Sequence, residues 1–331
     1  MEKKLLQLPV CRGTKDKEDH LMQNDRTGRA LLSLALALML LITPGMAACA
    51  DTPELPQVET VTADGFSMDY IRFGQGENTL VILPGLSVQS VMGSAAAIAE
   101  AYRSMADDYT VYLFDRRKEL PEAYSISGMA QDTAEAMELL GLRQVDLFGA
   151  SQGGMIAMTI AAGHPELVRK LALGSTAARI EEENFHTIEN WIGLAKAGDA
   201  EGLYLAFGRA LYPEEQFTLY HDALTAAAQT VTEEDLARFV ILAECIRGFD
   251  CSGDLEKIAC PVLVTGSMTD QVLGADASFR IAEQLSGRKD AELFMYGAYG
   301  HACFDIAPAY KDRLLEFFAP NASDPPVLHS S

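Results

Sequence analysis

The sequence has no cluster of basic residues, no internal repeat and no low-complexity segment. It carries 26 Lys+Arg against 47 Asp+Glu, a formal net charge of -21, which disfavours nucleic acid as a partner. The missing repeat argues against a solenoid. No Cys/His group has the spacing of a zinc site, and we expect neither a metal nor a cofactor. The 331 residues, 49% of them hydrophobic, suffice for one large domain or two small ones.

Residues 1–50 differ in kind from the rest and are predicted to form an export leader. The apolar stretch 31–42 is shorter than the roughly 20 residues of a membrane-spanning helix and is typical of a signal peptide. It is followed by Met46-Ala47-Ala48-Cys49, which resembles the lipobox of bacterial lipoproteins. That resemblance implies a lipid on Cys49 and a membrane-anchored domain outside the cytoplasm.

Several features of this segment stay open at the level of sequence. Ala48-Cys49-Ala50 also fits an ordinary A-x-A cleavage site, which would give a secreted protein, and the segment could persist as an uncleaved anchor. Met22 is an alternative start. Residues 51–57 form a predicted linker. Four further cysteines, which an exported domain can pair in three ways, are Cys245, Cys251, Cys260 and Cys303.

The central motif of the chain is Gly149-Ala150-Ser151-Gln152-Gly153. An apolar run, 145–148, predicts a buried strand before it, and a helical pattern follows over 155–162. This is the G-x-S-x-G pattern between a strand and a helix, where a sharp turn exposes the serine hydroxyl. Small neighbours are needed because the serine on such a turn has strained backbone angles. The motif therefore predicts Ser151 as a nucleophile beside a helix N-terminus.

Strands and helices alternate around this motif, which predicts a doubly wound, mostly parallel sheet. Residues 58–63 and 66–73 are β-rich runs joined at Asp64-Gly65, a strong hairpin signal that adds an antiparallel edge. The pattern is helical only over 177–254, which predicts a cap inserted between core segments 58–176 and 255–320, with a tail at 321–331. The predicted cap helices cover 181–196, 200–211, 214–228 and 233–247, and Thr232 is the expected N-cap of the last.

The chain resembles the α/β-hydrolase superfamily over about residues 58–320. The resemblance rests on several segments together: Leu83-Pro84-Gly85-Leu86, Asp115-Arg116-Arg117, Met129-Ala130-Gln131-Asp132, the serine motif, His164-Pro165-Glu166, Gly266 through Asp270, and Gly300-His301. It implies the α/β-hydrolase fold and the order Ser…Asp…His for the catalytic residues. Pro84 and Ala150 stand where many relatives carry histidine, but neither position supplies a catalytic group.

A serine nucleophile needs a base, and His301 is the predicted one. It lies in the loop after the last strand, among small residues that allow a close approach. The acid that orients the histidine is predicted to be Asp270, which follows the strand at 262–265; Asp276 is the alternative, with a role in a first helical turn preferred for it. The oxyanion donors are predicted to be the backbone N–H groups of Leu86 and Gln152.

These residues predict a serine hydrolase that cleaves an ester or related acyl bond of a small molecule through an acyl-enzyme. The same residues fit an acyltransferase, a cofactor-free haloperoxidase-like enzyme or a carbon–carbon bond hydrolase. A non-catalytic binding protein on the same scaffold is the alternative from another class. Aromatic residues of the cap indicate an apolar acyl group, although packing within the cap explains them equally well.

Overall fold

A computed structural model describes residues 56–319, and the leader, Cys49, most of the linker and the tail lie outside this range. Within it the chain forms one eight-stranded sheet with the order β1-β2-β4-β3-β5-β6-β7-β8. The strands are β1 Val58–Ala63, β2 Phe66–Phe73, β3 Asn78–Leu83, β4 Tyr109–Arg117, β5 Val145–Ala150, β6 Val168–Gly174, β7 Val262–Ser267 and β8 Ala291–Tyr296.

The sheet is mostly parallel, which confirms the predicted fold class. β1 and β2 form the predicted hairpin, and β2 pairs antiparallel with β4. All remaining pairs are parallel. The hairpin turns at Gly65, whose φ of 90° favours glycine. The carboxyl ends of β3 to β8 consequently meet at one edge of the sheet, where open α/β folds bind ligands.

Ten helices accompany the sheet in the described range. They are α1 Ala95–Ala101, α2 Ile126–Leu139, α3 Gln152–Gly163, α4 His186–Lys196, α5 Ala200–Leu211, α6 Glu214–Ala228, α7 Glu233–Glu244, α8 Ala275–Gln284, α9 Cys303–Ile306 and α10 Tyr310–Phe318. Short 3-10 turns lie at Val91–Ser94, Arg103–Met105, Glu182–Asn184 and Ser252–Lys257.

The differences from the predicted helices lie at their ends, where pattern is least informative. The helix expected over 181–196 is a 3-10 turn followed by α4, and the one expected over 233–247 ends at Glu244. The short α9 was not predicted at all. Four residues make too short a pattern for a 3.6-residue period to be recognised.

The core is centred on β5 and α3, the two elements that flank Ser151. All six residues of β5 are buried, and α3 buries nine of its twelve residues. Because α3 is apolar on nearly every side, it packs inside the fold rather than on its surface. The serine is thus held between two deeply buried elements.

The segment between β6 and β7 contains α4 to α7 and contributes no strand to the sheet. We call residues 177–254 the cap. Thr232 caps α7 as predicted: its hydroxyl accepts from the N–H of Asp235, whose carboxylate accepts from the N–H of Thr232. In the range 56–319, no helix has the length and apolar character needed to cross a membrane.

Candidate active site

Ser151 occupies a strained turn between β5 and α3. Its φ and ψ are 51° and −119°, an uncommon conformation for a residue with a side chain. The turn is fixed on both sides: the N–H of Ser151 donates to the Gly174 carbonyl (2.8 Å), and its own carbonyl accepts from the Thr176 hydroxyl (2.7 Å). Such strain persists only where the surroundings impose it, and it is common at functional sites.

The glycines around Ser151 are required by space. A Cβ atom on Gly153 would lie 2.0 Å from the Leu83 carbonyl oxygen, and one on Gly149 would lie 2.4 Å from the Gly153 carbonyl oxygen. A Cβ on Gly85, in the loop after β3, would come within 3.2 Å of the Ser151 Cβ. The G-x-S-x-G spacing therefore reflects backbone contacts among β3, β5 and α3.

His301 and Asp270 form a buried pair at the same edge of the sheet. The His301 Nδ1 and Asp270 Oδ2 atoms are 2.8 Å apart, and both side chains are nearly inaccessible to solvent. Asp270 Oδ1 accepts from the N–H groups of Val272 (2.8 Å) and Leu273 (3.0 Å). Burial alone would raise the pKa of Asp270, but His301 and these hydrogen bonds outweigh it and place the pKa below its usual value. Asp270 is thus a carboxylate at neutral pH.

The loop that carries His301 is held against the cap. The N–H of Ala302 donates to the Leu211 carbonyl at the end of α5 (3.0 Å), and the N–H of Gly300 donates to the Thr269 hydroxyl (3.1 Å). Gly300 has a φ of 67°, and a Cβ there would lie 2.5 Å from the Leu211 carbonyl oxygen. Small residues near His301 therefore allow the loop to approach the cap as well as the serine.

Ser151 and His301 line one pocket, while Asp270 lies behind the histidine. The pocket encloses about 990 Å³, including its opening to solvent. Core and cap both contribute apolar lining residues, among them Val88, Ile98, Leu113, Ile188, Trp191, Phe207, Leu211 and Ile246. Apart from aromatic rings, the polar side chains belong to Ser87, Ser151, His301 and Asp305. The described residues that line it include no lysine or arginine.

The two predicted oxyanion donors lie beside this pocket. Leu86 is a lining residue in the loop after β3, and Gln152 is the first residue of α3, directly after Ser151. Within the described part of the chain, no hydrogen bond is assigned to the backbone N–H of either residue. Both groups are therefore free to donate to a bound molecule.

Asp276, the alternative acid, and the other histidines of the described range lie elsewhere. Asp276 is in the first turn of α8, the position preferred for it. His164 ends α3 and faces Glu166, while His186 and His221 are exposed on the cap. The four described cysteines are all free thiols. Over residues 56–319, no group of three His, Cys, Asp or Glu side chains is arranged to hold a metal ion.

Sequence reasoning missed part of the site. It did not distinguish the cap aromatics that line the pocket, Trp191, Phe207 and Tyr212, from those that only fill the cap, such as Phe239. Nor did it indicate that the Asp115 carboxylate, besides accepting from the N–H of Arg116, faces Ser90 and Arg238. Both outcomes depend on contacts between segments far apart in the chain, for which the sequence carries no local signal.

Comparison with known proteins supports the same fold. A sequence model of the alpha/beta hydrolase fold matches residues 78–211. Among curated proteins, the chain is 26% identical to a putative carbamate hydrolase RutD of Rhizobium rhizogenes, over 72% of this chain and 92% of the relative.

Two solved structures share the architecture. An alpha/beta hydrolase enzyme from a Medee basin deep-sea metagenome library superimposes with a TM-score of 0.70 at 20% identity, over 80% of this chain and 98% of the other. A thermophilic esterase from Thermogutta terrifontis has a TM-score of 0.64 at 18% identity, over 79% and 97%. At these identities the structures support the fold alone. Together with the fold, the matched model and the curated relatives support a hydrolase enzyme of the α/β-hydrolase type.

Proposed function

We propose that the chain is a serine hydrolase that cleaves neutral esters with an apolar acyl group through an acyl-enzyme. Ser151 is the nucleophile, His301 the general base and Asp270 the acid that orients the histidine. The observation that carries the proposal is the buried 2.8 Å contact between His301 and Asp270, beside the pocket that Ser151 enters from a strained turn. Nucleophile, base and orienting acid are the parts that acyl transfer requires.

In the proposed reaction, the Ser151 hydroxyl attacks the ester carbonyl carbon while His301 takes its proton. The carbonyl oxygen becomes an oxyanion, which accepts hydrogen bonds from the N–H groups of Leu86 and Gln152. Collapse of this intermediate breaks the bond to the alcohol, which leaves with the proton from His301. Water, deprotonated by His301, then releases the acid and restores Ser151. Asp270 stays ionised throughout and stabilises the imidazolium form of His301.

The pocket lining supports a neutral, apolar substrate. Its walls are mainly aliphatic and aromatic, and burying an apolar group there is favourable by about 25 cal/mol for each Å² removed from water. A free carboxylate on the substrate would meet no lysine or arginine among these residues, and burying an unpaired charge is costly. The relative's name refers to carbamates; an apolar carbamate ester would satisfy the same walls.

A fluorophosphonate probe tests the nucleophile directly, because it reacts only with an activated serine. Wild-type protein should be labelled at Ser151, the Ser151→Ala variant should not be labelled, and the exposed Ser286→Ala variant should behave as wild type. A folded wild-type protein that resists the probe would favour a binding protein on this scaffold.

A panel of p-nitrophenyl esters of increasing chain length tests the substrate class. Activity should rise from the acetate to medium-chain esters. Trp191→Ala should lower kcat/KM for the longer esters by about tenfold, because they lose an apolar contact, and should change kcat/KM for the acetate little. Adding an alcohol acceptor separates hydrolysis from acyl transfer: a dominant transfer product would identify an acyltransferase.

We also propose that lipid on Cys49 holds the domain at the outer face of a bacterial membrane. The support is the apolar stretch 31–42 followed by Met46-Ala47-Ala48-Cys49, together with an acidic chain that anionic headgroups would repel. A palmitate analogue should label wild-type protein and the Cys11→Ser control but not Cys49→Ser. An unlabelled wild type with a mature N-terminus at Asp51 would indicate ordinary secretion instead.

A further inference from the structure

The loop after β3, residues 84–90, carries one of the two proposed oxyanion donors and is fixed at both ends by the end of β4. At its start, the Pro84 carbonyl accepts from Arg116 Nη2 at 2.7 Å. At its end, the Ser90 hydroxyl donates to Asp115 Oδ2 at 2.5 Å. The position of Leu86 between these two points is therefore set by the side chains of adjacent residues on β4.

Arg116 is a buried cation with few partners. Only 4% of the residue is exposed, and burial lowers the pKa of its guanidinium to about 10, which still leaves it charged at neutral pH. Its Nη2 donates to the Pro84 carbonyl and also lies 3.3 Å from Gln152 Oε1. A buried charge is tolerated only where hydrogen bonds compensate it, so this geometry is costly to disturb.

Gln152 links the serine turn to the cap. Its backbone N–H is the second proposed oxyanion donor, and its fully buried side chain points away toward other partners. Oε1 accepts from Arg116, while Nε2 donates to the Leu242 carbonyl in α7 at 2.7 Å. Leu242 is in the last turn of α7, where carbonyls lack a partner within the helix; the N–H of Ile246, four residues on, donates to Ala243 instead.

The cap helix α7 also forms hydrogen bonds with the end of β4. Arg238 of α7 donates through Nη1 to the Arg117 carbonyl (2.8 Å), and its Nη2 lies 3.3 Å from the Arg116 carbonyl oxygen. The cap also reaches the loop after β3, because the Tyr204 hydroxyl of α5 donates to Gln89 Oε1 at 2.8 Å. Cap, β4 and both donor segments thus form one continuous hydrogen-bonded network.

We propose that Arg116 and Gln152 are positioning residues, whose side chains hold the N–H groups of Leu86 and Gln152 in the arrangement that binds an oxyanion. Because the Gln152 side chain also bonds α7, this arrangement depends on how α7 packs against the core. This inference rests on the proposed function, because the two N–H groups matter only if an oxyanion forms. It assigns the network a role in stabilising the transition state rather than in binding the substrate.

The test compares Arg116→Met and Gln152→Met with the neighbouring Arg117→Met as a matched control. Arg117 faces Asp132 and the carbonyls of Gly65 and Glu119, away from both donor segments. Removing one oxyanion donor typically costs 10²- to 10³-fold in kcat; we expect a misplaced donor to cost less, about 10- to 100-fold, with KM changed less than about threefold. Arg117→Met should stay within about twofold of wild type, and Arg116→Lys should recover part of the loss.

A pair of ligands separates positioning from simple destabilisation. An apolar trifluoromethyl ketone forms an oxyanion on the serine, whereas the neutral alcohol product of a long-chain ester does not. The ketone affinity should fall by the same factor as kcat in Arg116→Met and Gln152→Met, while product affinity stays unchanged. A variant that is merely less stable would lose melting temperature but keep both affinities in its folded fraction.

The outcomes distinguish this inference from the proposed function. If the wild type hydrolyses esters and both variants keep its kcat and ketone affinity, the positioning role is wrong and the triad assignment survives. If Arg116→Met does not fold, Gln152→Met alone decides, because it retains the buried arginine and the backbone N–H. If the wild type neither turns over esters nor reacts with the probe, the proposed function fails and this inference fails with it.

Discussion

Two buried aspartates lie at opposite ends of the strands of the same sheet, and the pKa values of their carboxyl groups are shifted in opposite directions. Asp270 follows the carboxyl end of β7, and its pKa lies below the usual value because His301 and two backbone N–H groups outweigh the effect of burial. Asp146 lies near the start of β5, where burial raises the pKa to about 6 although Arg169 and Lys170 oppose the rise. Hydrogen bonds at the carboxyl ends of the strands thus favour the ionised form of Asp270, whereas burial at the other ends disfavours the ionised form of Asp146.

Side chains near the amino-terminal ends of β5 and β6 bind the last helix, α10, to the sheet. Arg169 bonds both Asp146 and the Phe318 carbonyl, and Lys170 Nζ donates to the carbonyls of Phe317 (3.0 Å) and Ala319 (2.7 Å). These carbonyls end α10, where partners within the helix are missing. Lysine and arginine at a helix C-terminus also interact favourably with its dipole. We therefore expect substitutions at the amino-terminal ends of these strands to change stability, and substitutions at the carboxyl ends to change turnover.

The largest effect should come from Ser151→Ala. We expect ester hydrolysis to fall by about 10⁴-fold or more, because the proposed nucleophile is lost. The melting temperature should change little, because alanine keeps the Cβ and therefore the strained turn. Initial rates and thermal denaturation measure both. Residual activity above a few per cent of wild type would remove Ser151 from the mechanism.

Asp270→Asn should follow, with kcat lower by roughly 10⁴-fold, because an amide favours the wrong tautomer of His301. Asp276→Asn is the matched control and should be nearly silent, since that side chain lies in the first turn of α8. Steady-state kinetics of the two variants on one ester give the answer. The reverse ranking would transfer the acid role to Asp276.

Lys170→Met should destabilise the fold by about 3 kcal/mol and leave kcat of the folded enzyme unchanged. The reason is that two carbonyls at the end of α10 lose a charged donor in a buried site. Urea unfolding together with kcat at low denaturant tests both parts. A large loss of kcat without loss of stability would contradict the view that this end of the sheet contributes to stability and the carboxyl end to turnover.

Asp146 should make stability depend on pH in a particular direction. Its pKa is about 6 in the folded chain against an ordinary 3.8, so between these values the folded state holds the proton that the unfolded state has lost. Stability from this group is present at low pH and is lost as pH rises from 4 to 6, by about 2 kcal/mol. The difference in unfolding free energy between wild type and Asp146→Asn, measured across this range, should change by that amount in favour of the variant. A flat difference would show that Arg169 fully compensates the charge.

The sequence by itself predicted the features that depend on neighbouring residues. The two strands of the hairpin at Asp64-Gly65 have the predicted bounds, and Thr232 caps α7 as predicted, although that helix ends at Glu244 and not at 247. The G-x-S-x-G segment predicted the strand, turn and helix around Ser151 because the backbone of that turn leaves room only for small residues. The order of strands also predicted that the loops carrying Asp270 and His301 reach the same edge of the sheet.

Only the tertiary structure decided how the cap meets the site. Arg116 and Gln152 are 36 residues apart, and Gln152 and Leu242 are 90 apart. Neither residue type nor spacing predicts such contacts. The partners of a buried hydrogen bond must be removed from water in one particular geometry, and here the packing of α7 on the sheet creates that geometry. The choice of pocket-lining aromatics among those of the cap has the same origin. Local patterns fixed where the chain turns, whereas the pocket walls and the network behind them exist only once distant segments are packed together.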